Sequence, residues 1–222
     1  FNNDGLEKIK NRIHNNRPKG ILGANIGPNK DTEDKIKDYV NCMLELHKLS
    51  AYLTINISSP NTEGLRNFHE KKLFSSLLDN LILTKTKFNI KKPLFIKISP
   101  DIQDNYINEI CELVIKYKIE GIIISNSTDK NREKLSNNNS EQGGLSGKPL
   151  KDLSTNLIKK FSQNLKGKIT IIGVGGIDSG RDVFEKIISG ASLVQLYTGM
   201  IYKGPSIVRN IKKELIQILK RE

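Results

Sequence analysis

The chemistry-bearing residues are densest between 51 and 66, AYLTINISSPNTEGLR. Residues 52–57 are apolar and β-branched, the composition of a strand covered on both faces. Where the strand runs out, Asn56, Ser58, Ser59, Pro60, Asn61 and Thr62 crowd amides and hydroxyls together. Polar groups at the C-terminal end of an apolar parallel strand are the usual address of an active site in α/β folds. An ordinary polar turn is the plainer reading, but a turn needs one Pro or Asn, not this many polar positions. The pattern recurs along the chain. Asn25 ends the run 21–26; Ser125, Asn126, Ser127 and Thr128 end the run beginning at Gly121; Gly175-Gly176 and Tyr197-Thr198-Gly199 end the last two runs.

The residue types restrict the reaction. Asn25, Asn56, Asn61 and Asn126 are neutral donors and acceptors suited to a flat heterocycle of alternating amides and carbonyls. No Asp, Glu, His or Cys stands at a strand end, so carboxylate acid/base chemistry and thiolate attack are both disfavoured. Ser59 and its neighbours are the remaining proton acceptors. A serine is a poor base unless a hydroxyl or water relay draws its proton away, so the hard step belongs to a cofactor. Glycines at the last two strand ends suit a phosphate, because bare backbone N–H groups attract the anion. Gly143-Gly144-Leu145-Ser146-Gly147 allows close backbone approach as well, although such a run alone is more often a turn. Lys97 interrupts the apolar run 94–98, where a lysine is costly to bury unless it meets an anion or acceptor. An edge strand with Lys97 in water is the alternative; few edges exist in a repeating strand-helix pattern, which favours a ligand contact.

Six strand-like runs alternate with helical stripes, such as Ile36, Tyr39, Val40, Met43 and Leu46, or Leu73, Phe74, Leu77, Leu78 and Leu81. These stripes read as core. Asp31-Thr32 and Ser154 or Thr155 are candidate helix caps. Val183, Phe184, Ile187 and Ile188 form the inward stripe of the penultimate helix, and Ile207, Val208, Ile211, Leu215 and Ile218 that of the last. Residues 129–142 read as a solvated excursion, with a lid as one use for it. Short loops between alternating strands and helices imply a parallel sheet with right-handed crossovers. An open doubly wound sheet would concentrate its glycine at one switch point. Polar ends spread evenly along the chain favour a (β/α)8 TIM-type barrel in one domain over 1–222. A full barrel of about eight units needs roughly 250 residues or more, so the expectation is an incomplete barrel lacking about its first two strands.

Lys and Arg number 36 against 24 Asp and Glu, a net charge of +12 over 222 residues. The lysines spread along helix faces without the interleaved aromatics of a base-stacking surface, so no nucleic-acid partner is expected. The thin hydrophobic content, 36% with a mean hydropathy of -0.42, still fits a folded globular chain. Cys42 and Cys111 lie within helical patterns and read as buried thiols of a reducing compartment. His14, His47 and His69 have no ligand spacing with them, so no metal is expected. No run reaches the length of a membrane span. The chain opens on Phe1 without an initiator Met, so an N-terminal segment bearing a membrane anchor is a further expectation.

Four motifs in order, NISSPNTEGLR at 56–66, GGLSGKPL at 143–150, IIGVGGIDSG at 171–180 and GASLVQLYTG at 190–199, resemble the dihydroorotate dehydrogenase family. The resemblance implies a flavin-binding barrel that oxidises dihydroorotate to orotate in pyrimidine synthesis and passes hydride to FMN. It implies Ser59 as the catalytic base and Thr62 as a hydroxyl of the proton relay. Phe1, Asn56, Asn61, Asn126 and Ser127 are implied as substrate contacts. Asn25, Asn56, Lys97, Ser125, Gly147, Gly175, Gly176, Tyr197 and Thr198 are implied as FMN contacts. Lys97 then has a reason: it offsets charge on the reduced isoalloxazine. Serine rather than cysteine at position 59 is similar to the membrane-associated class, whose electron acceptor is a quinone reached through an N-terminal helical segment. That class implies peripheral attachment at the cytoplasmic face of a bacterial inner membrane, or at the mitochondrial inner membrane for a eukaryotic source. Another FMN barrel, such as a dihydropyrimidine or tRNA-dihydrouridine reductase, is the alternative within enzymes; such a chain would more often carry Cys at position 59.

Overall fold

A computed structural model of the chain describes residues 3–221 apart from 131, 134, 136, 138, 139 and 142. Phe1 and part of the polar stretch 129–142 lie outside the described residues. The apolar runs become six strands, β1 (Gly23–Ile26), β2 (Tyr52–Asn56), β3 (Leu94–Ile98), β4 (Gly121–Ile124), β5 (Thr170–Val174) and β6 (Leu193–Gln195). All neighbours are parallel, and spatial order follows chain order without a switch. A doubly wound sheet reverses direction at its midpoint; a sheet that only advances, with helices on one side, curls into a (β/α) barrel. Among the described residues it forms an open arc, with β1 and β6 each paired on one side.

The outer layer comprises α1 (Leu6–Asn15), α2 (Lys35–Leu46), α3 (Lys71–Lys87), α4 (Asp104–Lys116), α5 (Lys151–Leu165), α6 (Gly180–Ile188), α7 (Thr198–Lys203) and α8 (Ile207–Leu219). The strand period of two sorts the core. In β3, Leu94, Ile96 and Ile98 are fully buried, whereas Phe95 and Lys97 point to the other face. Tyr39 and Met43 of α2, Phe74 and Leu77 of α3 and Ile110 and Val114 of α4 join the buried strand residues in one cluster. A smaller cluster of Ile177, Val183, Ile207 and Ile211 joins α6 to α8. Cys111 is buried and Cys42 half-buried, both as free thiols; burial pushes them up to about 12 and about 11. Among the described residues no helix is long and apolar enough to cross a membrane.

Several expectations give way to tertiary context. β4 stops at Ile124, so Ser125, Asn126 and Ser127 belong to the loop, where they are free to turn toward the rim. Asp34, not Asp31 or Thr32, caps α2 by accepting from Lys37 N. Ser154 does not cap its helix: α5 begins at Lys151, continuing a 3-10 turn over Lys148–Leu150, and Ser154 is buried inside it. On α6 the buried residues are Gly180, Asp182, Val183 and Lys186, while Ile187 and Ile188 are exposed. The helix is rotated from its apolar stripe because Val183 must meet α8 and the Lys186 stem must lie against β5. Val208 is likewise exposed, since α8 turns Ile207 and Ile211 inward.

Candidate active site

At the C-terminal ends of the strands lies a cavity of about 500 Å³. Parallel pairing places the rim residues side by side: in register Asn56 stands opposite Lys97, and Asn25 opposite Thr54. The loop after β2 is organised by one amide. Asn56 Oδ1 accepts from Ser58 Oγ at 2.6 Å, from Ser58 N at 3.2 Å and from Asn126 Nδ2 at 3.3 Å. Asn126 Nδ2 also donates to Ser58 Oγ at 2.8 Å, and its own Oδ1 accepts from Ser127 N at 2.8 Å. These bonds set the orientation of both amides and join the β2 and β4 loops into one polar floor. The buried Tyr39 hydroxyl donates to the Asn56 carbonyl at 2.6 Å and holds the strand end from behind. Ser59 lines the cavity and its Oγ accepts from Asn61 N at 3.2 Å.

Lys97 faces the cavity from β3, an interior strand, which removes the edge-strand alternative. Among the described residues it makes no hydrogen bond or ion pair, and it is the one charged side chain of the described lining. Burial pushes its pKa down from the usual lysine value. A half-buried ammonium with no anionic partner among the described residues can pair with an electron-rich ligand that enters the cavity.

A guanidinium ties the loops together beneath this floor. Arg66 pairs with Asp101 Oδ2 at 3.1 Å and Asp129 Oδ1 at 3.1 Å, and donates at 3.4 Å to the carbonyls of Ser58 and Ser127. Asp101 also accepts from Thr128 Oγ1 at 2.5 Å and from Asp129 N at 3.3 Å. One planar fork therefore spans the loops after β2, β3 and β4. The part of the cavity wall that follows β5 is rich in glycine. Gly175 and Gly176 line it, and Gly176 has φ +70° and lies so close to α5 that a Cβ there would meet Lys151 Cα at 2.5 Å. Only glycine fits such a position. Ser146 Oγ and Thr198 Oγ1 lie 2.9 Å apart, joining the loop of Gly147 to α7.

The cavity brings together Asn25, Asn56, Ser59, Asn61 and Lys97 from the first three strands. Ser125, Asn126, Ser127, Gly147, Gly175, Gly176, Tyr197 and Thr198 join them from the rest of the chain. Thr62 is not in the lining; its carbonyl accepts from Leu65 N and closes the turn below. Phe1 lies outside the described residues. Sequence reasoning took Tyr39 for plain core, passed over Arg66 and Lys186, and read Ser58 only as one of a polar run. Arg66 had a faint signal, a lone arginine closing the polar motif; nothing local marks Tyr39 as a hydrogen-bond donor. Among the described residues no group of His, Cys, Asp and Glu could hold a metal ion.

An advancing parallel sheet flanked by helices, with a polar, amide-lined cavity at the C-terminal ends of its strands, defines an incomplete (β/α)-barrel protein. The sequence profile of the dihydroorotate dehydrogenase family matches residues 1–219, and the chain belongs to that family. It is 41% identical over 221 residues to a protein of Idiomarina loihiensis named dihydroorotate dehydrogenase (quinone), covering 97% of this chain and 66% of that one. It is 44% identical over 222 residues to one of Buchnera aphidicola with the same name, at the same coverages. A crystal structure of the Eimeria tenella dihydroorotate dehydrogenase in complex with ferulenol superposes with a TM-score of 0.88 at 34% identity, over 97% of this chain and 63% of that one. The chain thus spans just under two thirds of the length of the relatives it matches.

Proposed function

We propose that this chain is the flavin-binding barrel of a quinone-dependent dihydroorotate dehydrogenase, which oxidises dihydroorotate to orotate in pyrimidine synthesis. The observation that carries the reading is the composition of the lining. One lysine without a partner among the described residues, four asparagines and Ser59 converge on a cavity whose described walls hold no carboxylate, imidazole or thiol. Such walls can bind and orient a flat amide-rich ring and carry a proton on a hydroxyl, but they cannot accept a pair of electrons. FMN, when bound, supplies that acceptor. The residues present fit it: Lys97 offers a cation without a partner among the described residues, and Gly147, Gly175 and Gly176 leave backbone room for a phosphate.

In this reading Ser59 Oγ would take the C5 proton of dihydroorotate while giving up its own proton to the relay hydroxyl, and the C6 hydride would go to the acceptor that FMN supplies. The Asn61 backbone N–H on Ser59 Oγ would orient that oxygen and ease the loss of its own proton to the relay. Asn56, Asn61 and Asn126 orient the substrate ring, and the Asn56–Ser58–Asn126 bonds fix those amides before the substrate arrives. Lys97, facing the cavity from β3, favours the electron-rich state of the cofactor. Thr62 remains the proposed relay hydroxyl. A quinone, the word printed in the relatives' names, would be the final electron acceptor.

The test is single-turnover reduction of bound FMN by dihydroorotate. Ser59→Ala is expected to slow it by about 10²-fold or more, within the range of general-base catalysis, while FMN stays bound. Undiminished reduction by the alanine variant would reject Ser59 as the base. Reoxidation by a quinone in preference to fumarate or NAD checks the acceptor.

A further inference from the structure

Lys186 is fully buried on α6 and has no part in the chemistry above. Among the described residues it makes no ion pair. Its ammonium donates to Thr155 Oγ1 at 3.0 Å, Ser154 Oγ at 3.2 Å and the Lys151 carbonyl at 3.4 Å. All three acceptors lie at the start of α5. Its stem lies against β5, where a Cβ on Gly173 would come within 3.1 Å of Lys186 Cδ. Burial pushes its pKa down to about 8, with Asp182 opposing the shift.

What rests on the start of α5 is the glycine-lined end of the cavity. A Cβ on Gly175 would meet Ser154 Cβ at 3.1 Å and Leu150 Cβ at 3.3 Å, and one on Gly176 would meet Lys151 Cα at 2.5 Å. Ser154 Oγ in turn donates a hydrogen bond to the carbonyl of Val174, the residue before the glycine pair, at 2.5 Å. The chain of bonds therefore runs from Lys186 through Ser154 to the end of β5. From the other side, Lys151 Nζ is held by Asp182 at 2.7 Å and Glu185 at 3.0 Å of the same helix α6. A buried ammonium bonded only to neutral oxygens is a costly way to fill space that a methionine would fill as well. What it adds over methionine is three directed bonds.

We propose that Lys186 is a positioning residue for the phosphate end of the site: its ammonium fixes the opening of α5 as the seat on which Gly175 and Gly176 face a terminal phosphate monoester. The inference rests on the flavin reading and deepens it. The consequence is selective. Loosening the seat costs a ligand its phosphate contacts and leaves its ring contacts, at the Lys97 end, untouched.

The experiment compares FMN with riboflavin, the same ring without the phosphate, by fluorescence titration of the flavin-free protein. Lys186→Met keeps the stem and removes the three bonds. It is expected to weaken FMN by about ten-fold while moving riboflavin by less than about two-fold. Thr155→Val, which removes the shortest of the three bonds and leaves the ammonium in place, is expected to lower the FMN-to-riboflavin affinity ratio by about three-fold; it carries the test if Lys186→Met does not fold. A ratio unchanged in the folded variants, or both ligands weakened equally alongside a lower melting temperature, overturns the inference and leaves a structural lysine. Binding of neither flavin by the unaltered protein overturns the flavin reading, and this inference with it.

Discussion

Replacing Arg66 with methionine removes the guanidinium that joins three loops and leaves the stem. The cost can be worked from its partners. The Asp101 side chain is 4% exposed, so breaking its pair strands a carboxylate that water barely reaches. Removing one partner of a fully buried pair typically costs about 3–5 kcal/mol. Here Asp101 keeps the Thr128 hydroxyl at 2.5 Å and Asp129 N at 3.3 Å, and Arg66 itself is 24% exposed, which discounts that figure. The pair with Asp129, whose side chain is 51% exposed, adds little. A loss of about 2–3 kcal/mol is expected, or roughly 4–12 °C in Tm for a domain of this size. The assay is thermal unfolding by circular dichroism across pH. Burial already pushes the Asp101 carboxyl above its usual value, and Arg66 is one of the groups pulling it down. Without Arg66 it rises further, so the folded variant binds a proton more readily than the unfolded chain. Its deficit is then greatest at neutral pH and shrinks as pH falls through the raised value. Arg66→Lys should recover only part of the loss, because one ammonium cannot span three loops. A Tm shift below about 1 °C, or a deficit that widens on acidification, would show that the fork is not what holds the loops.

Other perturbations separate binding from stability. Lys97→Met relieves a half-buried cation that has no partner among the described residues, so Tm should hold or rise while FMN affinity falls; a Tm drop with unchanged FMN binding would contradict the ligand role. Tyr39→Phe loses the 2.6 Å bond to the Asn56 carbonyl and should cost about 1–2 kcal/mol in chemical denaturation, with weaker flavin binding. An unchanged denaturation midpoint would reject that role. His69 is buried with Nε2 unpartnered among the described residues, and burial, reinforced by Arg66, pushes its pKa from 6.5 down to about 4. Between those values the unfolded chain binds the extra proton, so its contribution is complete above pH 6.5 and lost as pH falls toward 4. The loss is on the order of 3 kcal/mol and should be missing from the acid limb of His69→Phe; identical acid limbs would exclude it.

Much of the architecture was legible because it is written in short periods. The apolar run 94–98 gave a strand interrupted by Lys97, and helical spacing gave the buried stripe of Tyr39 and Met43. The polar ends of the strands could be read for the same reason, since a parallel strand delivers its C-terminal residues to the rim whatever lies beside it. Periodicity fails where a face is decided by its neighbour. Ile187 and Ile188 read as core and are exposed, because α6 is rotated to bring Val183 onto α8 and Lys186 against β5.

The sequence by itself determined the alternation of strands and helices, the neutral chemistry of the rim, the cation at Lys97 and the family motifs. The even spread of polar strand ends already favoured a sheet that advances without reversal; the tertiary structure alone decided which side chains hold the rim in shape. Arg66 meets Asp129 across 63 positions, Asn126 meets Asn56 across 70, and Lys186 meets Thr155 across 31. Local propensity carries no trace of such pairs. Their partners are chosen by where the closing sheet sets down each loop, so they exist only once the chain is folded.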